Sequence, residues 1–197
     1  MGKIMTTAHS DRDARHHQRQ DEIIAAARRC VRRAGFHGAS MSQLASESQL
    51  SVGQIYRYFA NKEEIVAEMV RRIVATRVAA IEGNTAAERL PQLLAWRQAL
   101  NDDDDLLMLE VAAEASRNRR IADILADADR LMFDNARREV AAAYPHLEAA
   151  RLSACVEIIA VLIDGTAFRR LTPQKAAAAQ LLPLYQQLFH QLFETDK

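Results

Sequence analysis

Apolar residues return every three or four positions along nearly the whole chain, which is the period of helices that bury one face. Ile23, Ala27, Cys30, Val31 and Ala34 fall on one side of a first helix, which Gly35 stops before Phe36 packs beneath the next two helices. Ser40 can cap a short helix over Met41–Ser48 that turns Met41, Leu44 and Ala45 inward. Ser51 can cap another over Val52–Phe59, whose Ile55 and Phe59 lie four apart. Both stripes are too small to stand alone, so the three helices must share one core. That leaves Val52, Gly53, Gln54, Tyr56, Arg57 and Tyr58 largely outside it.

Beyond Asn61, which can cap, Glu63 and Glu64 occupy the first turn of a long helix. It spaces Ile65, Met69, Ile73 and Val78 toward a core and ends at Gly83–Asn84. A segment from about Ala86 to Leu100 carries Leu90, Leu93, Leu94 and Trp96, with Pro91 bending its start. Four consecutive aspartates then precede a helix over about Asp105–Arg117, with Leu106, Met108, Leu109 and Ala113 inward. The aspartate run lacks the alternating ligands and turn glycine of a calcium loop, so it reads as a cap and first-turn charge. About Arg119–Tyr144 comes next, with Ile121, Ile124, Leu125, Leu131, Met132 and Phe133, until Pro145 interrupts.

Between His146 and Arg170 the apolar residues occupy nearly every side, so this helix needs cover from its own chain on one side and a partner on the other. Thr172–Pro173 starts a last helix with Leu181, Leu184, Leu188 and Leu192 on a broad apolar face, kinked at Pro183. Two such helices from each of two chains can close an interface. Leu152, Ile159, Ile163, Leu184, Leu188 and Phe189 are its expected members, in a homodimer. With no Val/Ile/Thr-rich alternating run, the expected fold class is all-α, with about nine helices.

Gly35–Phe36, the Ser40 cap, Leu44–Ala45, Ser51, Gly53, Tyr56, Tyr58–Phe59 and Lys62 form a dense pattern in fixed order and spacing. Over residues 20 to 65 the chain resembles the TetR family of bacterial transcription regulators on these residues. The resemblance implies an amino-terminal helix-turn-helix three-helix domain over residues 18–62, placing one helix in a DNA groove. A mobile arm over 1–17 would precede it. A connecting helix over 63–83 would lead to a helical ligand-binding and dimerisation domain over 84–197. One position departs from the pattern: Gln49 stands where the family commonly has glycine, so it must take a left-handed backbone at some cost.

Motif match and expected exposure together single out Ser42, Gln43, Ser51, Val52, Gln54, Tyr56, Tyr58 and Lys62 as the DNA-binding set. The tyrosine hydroxyls, the caps and Lys62 are placed to hold phosphates, and Gln54 can bond adenine bidentately. Plain packing is the competing reading of Tyr56 and Tyr58. The resemblance further implies a ligand-responsive regulator, expected as a repressor released from a near-palindromic double-stranded operator by a small-molecule effector. A helical protein-protein adaptor that has lost DNA binding is the alternative.

Composition and charge add limits. In 197 residues, hydrophobic side chains make up 49%, with only six Gly and four Pro, enough for a core and little for turns. The formal net charge is zero, yet residues 1–62 hold ten Lys/Arg against five Asp/Glu, and the rest sixteen against twenty-one. A basic head on an acidic body suits phosphate attraction, which acts over a screening length of about 8 Å; chance asymmetry on solvated faces is the bland alternative. Cys30 and Cys155 lie at apolar positions without metal-ligand spacing, so buried free thiols in a cytoplasmic protein are expected. No apolar run spans a membrane, and either Met1 or Met5 can be the native start.

No catalytic motif or phosphate-binding glycine loop is present, so the protein is not expected to be an enzyme or to carry a cofactor or metal. For the effector, Trp96, Met108, Met132 and Phe133 offer large apolar surface, with core packing the competing reading of each. Glu110, Glu157 and Asp164 interrupt apolar runs and would need a partner if buried. An arginine is one such partner. An amphipathic organic cation in a cavity is the other.

Overall fold

The computed structural model describes residues 5–81, 86–96 and 103–193, with the backbone alone for 5–13, 80–81 and 86–88. Gly83–Asn84, expected to end the connecting helix, and Asn101 and Asp102, ahead of the aspartate run's helix, lie outside the described residues. Among the described residues there are nine helices and no strand: α1 Met5–Gly38, α2 Met41–Ser48, α3 Val52–Ile55, α4 Lys62–Ile81, α5 Ala86–Trp96, α6 Asp103–Ala115, α7 Arg119–Ala143, α8 Ala149–Arg169 and α9 Ala178–Phe193. None of them is long and apolar enough to cross a membrane. The chain divides into two compact units, Met1–Arg72 with Glu110–Leu125, and Ile73–Leu109 with Ala126–Lys197.

In the first unit α1 buries Ile23, Ile24, Ala26, Ala27, Cys30 and Val31, the segment that follows buries Leu44, Ala45, Ile55 and Phe59, and α4 buries Ile65, Val66 and Met69. Ala34, expected on that face, is exposed, because the helix breaks one residue later. Gly35 takes φ 69, ψ 174, a backbone that side chains other than glycine's strain to adopt. A Cβ there would also come within 3.2 Å of the Glu110 carboxylate. The break redirects the chain so that Phe36 drops into the core. Residues 5–17, expected as an arm without apolar period, are helical as the first turns of α1. They contain Ala and Arg, both good helix formers, and neither Gly nor Pro, which permits a helix without an apolar period.

α6 corrects the expected stripe. Leu106 and Ala113 are exposed, while Leu107, Val111 and Glu114 are buried at the i, i+4, i+7 spacing. The true stripe hid in the sequence because its third member is a carboxylate. In the second unit Leu94, Val140, Leu152, Cys155, Val156, Ile159, Phe189 and Phe193 form one core, with Phe133, Tyr144 and Tyr185 packed against it. Tyr144 stacks on Phe193 at 4.2 Å between ring centroids. The last helix begins at Ala178 rather than Pro173, its amino end closed by Gln180 accepting from the Ala177 N–H at 3.0 Å. The later start leaves Pro183, which cannot donate a backbone bond, in the second turn instead of mid-helix.

Candidate nucleic-acid interface

Two matched caps build the site. The Ser40 hydroxyl accepts from the Gln43 N–H at 3.2 Å, and the Gln43 side-chain Oε1 accepts from the Ser40 N–H at 2.8 Å. Ser51 and Gln54 repeat the arrangement at 3.2 and 2.8 Å. Each box satisfies two of the backbone donors that a short helix otherwise leaves open, which matters most for helices of eight and four residues. Between them Gln49 takes the left-handed backbone its position demands, φ 56 and ψ 33, at about 1 kcal/mol. The Leu50 N–H then closes on the Ala45 carbonyl at 3.0 Å, which sets the turn.

α3 is shorter than its apolar spacing predicts, ending at Ile55 with Tyr56 as the cap residue. The backbone continues in tighter bonds, from the Arg57 N–H to Gln54 and from the Tyr58 N–H to Ile55. Ile55 and Phe59 stay buried, so Ser51, Gln54, Tyr56 and Arg57 face solvent and Val52 and Tyr58 are half-buried. Ser42 and Gln43 are exposed on α2, the Ser42 and Ser40 hydroxyls 2.9 Å apart. The whole segment is braced by Glu47, which accepts from Arg29 at 2.7 Å and Arg33 at 3.2 Å. Those two guanidinium bonds hold the Glu47 carboxyl below the usual range.

Three placements differ from what the residue types suggest. The Gln54 side-chain Oε1 accepts from the Ser51 N–H, which also fixes the amide's orientation, so the side chain faces outward chiefly through its NH2. Bidentate bonding to adenine needs both ends. Lys62 donates to the Phe36 carbonyl at 3.0 Å and lies 4.0 Å over the Phe36 ring, which makes it a strut for the corner after Gly35. Arg57, exposed between the tyrosines, is the cation that faces solvent on this segment. His16 of α1 packs on Tyr58 at 4.9 Å between rings, a neighbour 42 residues away that no local pattern announces.

The second unit holds a cavity of about 240 Å³ lined by Leu94, Thr166, Arg169, Gln174, Lys175, Ala176, Leu181 and Tyr185. None of the expected effector residues lines it. Trp96, Met108, Met132 and Phe133 are half-buried, while Glu157 and Asp164 are exposed. Glu110 is exposed too and belongs to the first unit, beside Gly35. Among the described residues the buried carboxylates are Asp105 and Glu114, at 1% and 2% exposure. Asp105 pairs with Arg77 at 2.8 Å and Arg170 at 2.9 Å; Glu114 pairs with Arg117 at 2.6 Å and lies 3.4 Å from His37.

The expected interface set also divides. Leu152, Ile159 and Phe189 are consumed by the chain's own core, Ile163 and Leu188 are half-buried, and Leu184 is 62% exposed. α8 and α9 span enough turns to bury one stripe inside the chain and turn another outward. The outward apolar residues are Ile158, Val161, Phe168, Leu171 and Leu184.

Residues 23–69 match the family model described as bacterial regulatory proteins, tetR family. The HTH-type nicotine-responsive transcriptional repressor HdnoR of Paenarthrobacter nicotinovorans is 30% identical over 115 residues, covering 54% of this chain and 59% of the relative. Across the curated relatives it matches, the chain spans 32% to 59% of their length. Among solved structures, Salmonella enterica GusR superimposes with a TM-score of 0.73 at 18% identity, over 90% of this chain and 96% of that one. The transcriptional regulator FadR from Bacillus subtilis, in complex with stearoyl-CoA, gives 0.67 at 19% identity, over 89% and 98%.

Proposed function

We propose that the chain is a dimeric transcription regulator of the tetR family, whose model its residues 23–69 match, and a repressor released from its operator by a small molecule. The observation that carries this reading is the pair of capping boxes joined by the left-handed Gln49, which presents Gln54, Tyr56, Arg57 and Tyr58 as one outward surface. A segment of this kind lies in a major groove with its first residues at the base edges. In the proposed complex Arg57 and the tyrosine hydroxyls hold phosphates, as do Ser42 and the exposed amide of Gln43. The Gln54 NH2 donates to a base acceptor, which favours guanine or thymine acceptors or adenine N7 over two-point reading of adenine.

Two copies are joined in this reading through the outward stripe of α8 and α9, centred on Val161, Phe168 and Leu184. Two-fold symmetry then calls for a near-palindromic operator with half-sites about one helical turn apart or a multiple. A coupling of about 1–3 kcal/mol between effector and DNA is enough for a useful response. Selection of bound duplexes from a random pool tests the reading. Enrichment of a near-palindrome is the expected result; a pool that stays random after repeated rounds contradicts it. HdnoR is named for nicotine and FadR is bound to stearoyl-CoA, ligands so unlike that this chain's effector has to be read from its own residues.

A further inference from the structure

We infer that the early turns of α1 form a second DNA contact, in which Arg15 grips the phosphate backbone beside the half-site while His16 braces the recognition segment; this rests on the regulator reading above. The His16 ring packs on the Tyr58 ring at 4.9 Å between centroids, tilted by 39°, and both residues belong to the first compact unit. The contact therefore sets the flank of α1 beside the end of the recognition segment that lies away from Ser51. With the first residues of that segment at the base edges, its last ones lie toward the sugar-phosphate wall of the groove, and α1 continues there. His16 follows about three turns of helix from Met5, so side chains along a helix flank make this surface and not an open helix end.

Charge gives the partner. From Ala14 through Gln20 the chain carries Arg15, His16, His17 and Arg19 and no carboxylate, and Ala14 to Arg19 are all exposed. The acidic residues that follow are engaged, Glu22 by Arg19 at 2.5 Å and Asp21 by Arg72 of α4 at 2.5 Å. Arg15 enters none of the ion pairs among the described residues. Its neighbour four positions on is Arg19, and like charges at that spacing repel on an exposed helix face, so Arg15 adds nothing to the fold there. A phosphate supplies what is missing, since a guanidinium fork matches two of its oxygens. The stacked rings thus link two exposed arginines, Arg57 next to Tyr58 and Arg15 next to His16. Such contacts position the protein on the duplex without reading its sequence.

Binding of the full chain to two forms of the selected operator tests the inference, one duplex ending at the outer edges of the half-sites and the other longer by about five base pairs on each side, half a helical turn. The wild type should prefer the longer duplex by about tenfold, with a steeper salt dependence. Arg15→Gln, at an exposed position, should keep the helix content in circular dichroism, lose that preference and reduce the salt slope on the longer duplex by about one for each head. His16→Ala should weaken both duplexes about threefold through loss of the ring pair, and His16→Phe, which stacks as well, should restore them. Equal binding of the two duplexes by the wild type, a preference that survives Arg15→Gln, or a phenylalanine as weak as the alanine would overturn the proposal. A wild type that binds neither duplex defeats the regulator reading itself; operator binding that Arg15→Gln leaves unchanged defeats only the second contact.

Discussion

Two places in the molecule, the helix ends around α2 and α3 and the buried carboxylate of α6, satisfy their polar groups over very different distances along the chain. In the first, Ser40 and Gln43, Ser51 and Gln54, and Asn61 and Glu64 close helix ends with partners three residues apart. In the second, Asp105 reaches Arg77 and Arg170, 28 and 65 residues away. Local closure fixes where α2 and α3 begin, as a fixed recognition surface requires. Long-range closure ties three helices of the second unit to one carboxylate, so a change at any of them is felt at the others.

The largest expected effect breaks the long-range side of that contrast. Asp105→Asn keeps the shape but leaves two guanidiniums without their buried counter-charge. It should cost about 2–3 kcal/mol, somewhat less than a fully buried pair because Arg77 keeps part of its hydration. Trp96, the single tryptophan, reports the second unit in a urea titration. A loss under about 1 kcal/mol would mean that the arginines are held by other groups. Ser51→Ala removes one cap and should cost about 1 kcal/mol. Combined with Gln54→Ala the two losses should fall short of additive, since one box is broken either way; strict additivity in circular dichroism melts would deny the box.

Smaller effects sharpen the local side. Gln49→Gly relieves the left-handed backbone and should stabilise the first unit by about 0.5 kcal/mol or a little more, after the entropy that glycine adds to the unfolded chain. Destabilisation in the same melts would show that the Gln49 side chain makes a contact that outweighs the strain. The Glu47 carboxyl is held low by Arg29 and Arg33. Its contribution is complete above the ordinary glutamate range and is lost as pH falls through the lower folded value. Glu47→Gln should flatten that acid-side loss in the first unit, and an unchanged pH profile would place the acid sensitivity elsewhere.

These distances also explain how much was legible in the sequence. The bounds of α2, the two caps, the conformation of Gln49 and the buried Leu44, Ala45, Ile55 and Phe59 are set by residues within four positions of one another. The buried stripe of α6 was not legible, because Glu114 looks like a surface residue until Arg117 and His37 are beside it. Nothing in four consecutive aspartates distinguishes Asp105 from its neighbours. Similarly, apolar breadth announced that α8 and α9 carry apolar residues on more than one side, but Leu152, Ile159 and Phe189 could be assigned inward only once Leu94 and Phe193 were placed beside them in one core. The cavity joins α5 to a segment about 80 residues later, beyond the reach of any periodicity.

The central claim is that the segment after Ser51 grips DNA, and fluorescence anisotropy on the selected operator tests it most directly. Arg57→Ala is compared there with Arg130→Ala, an exposed arginine of the second unit paired with Asp127. Arg57→Ala should weaken operator and random duplex alike and lower the salt slope by about one, while Arg130→Ala changes neither. Equal affinity and equal salt dependence for wild type and Arg57→Ala would contradict the account.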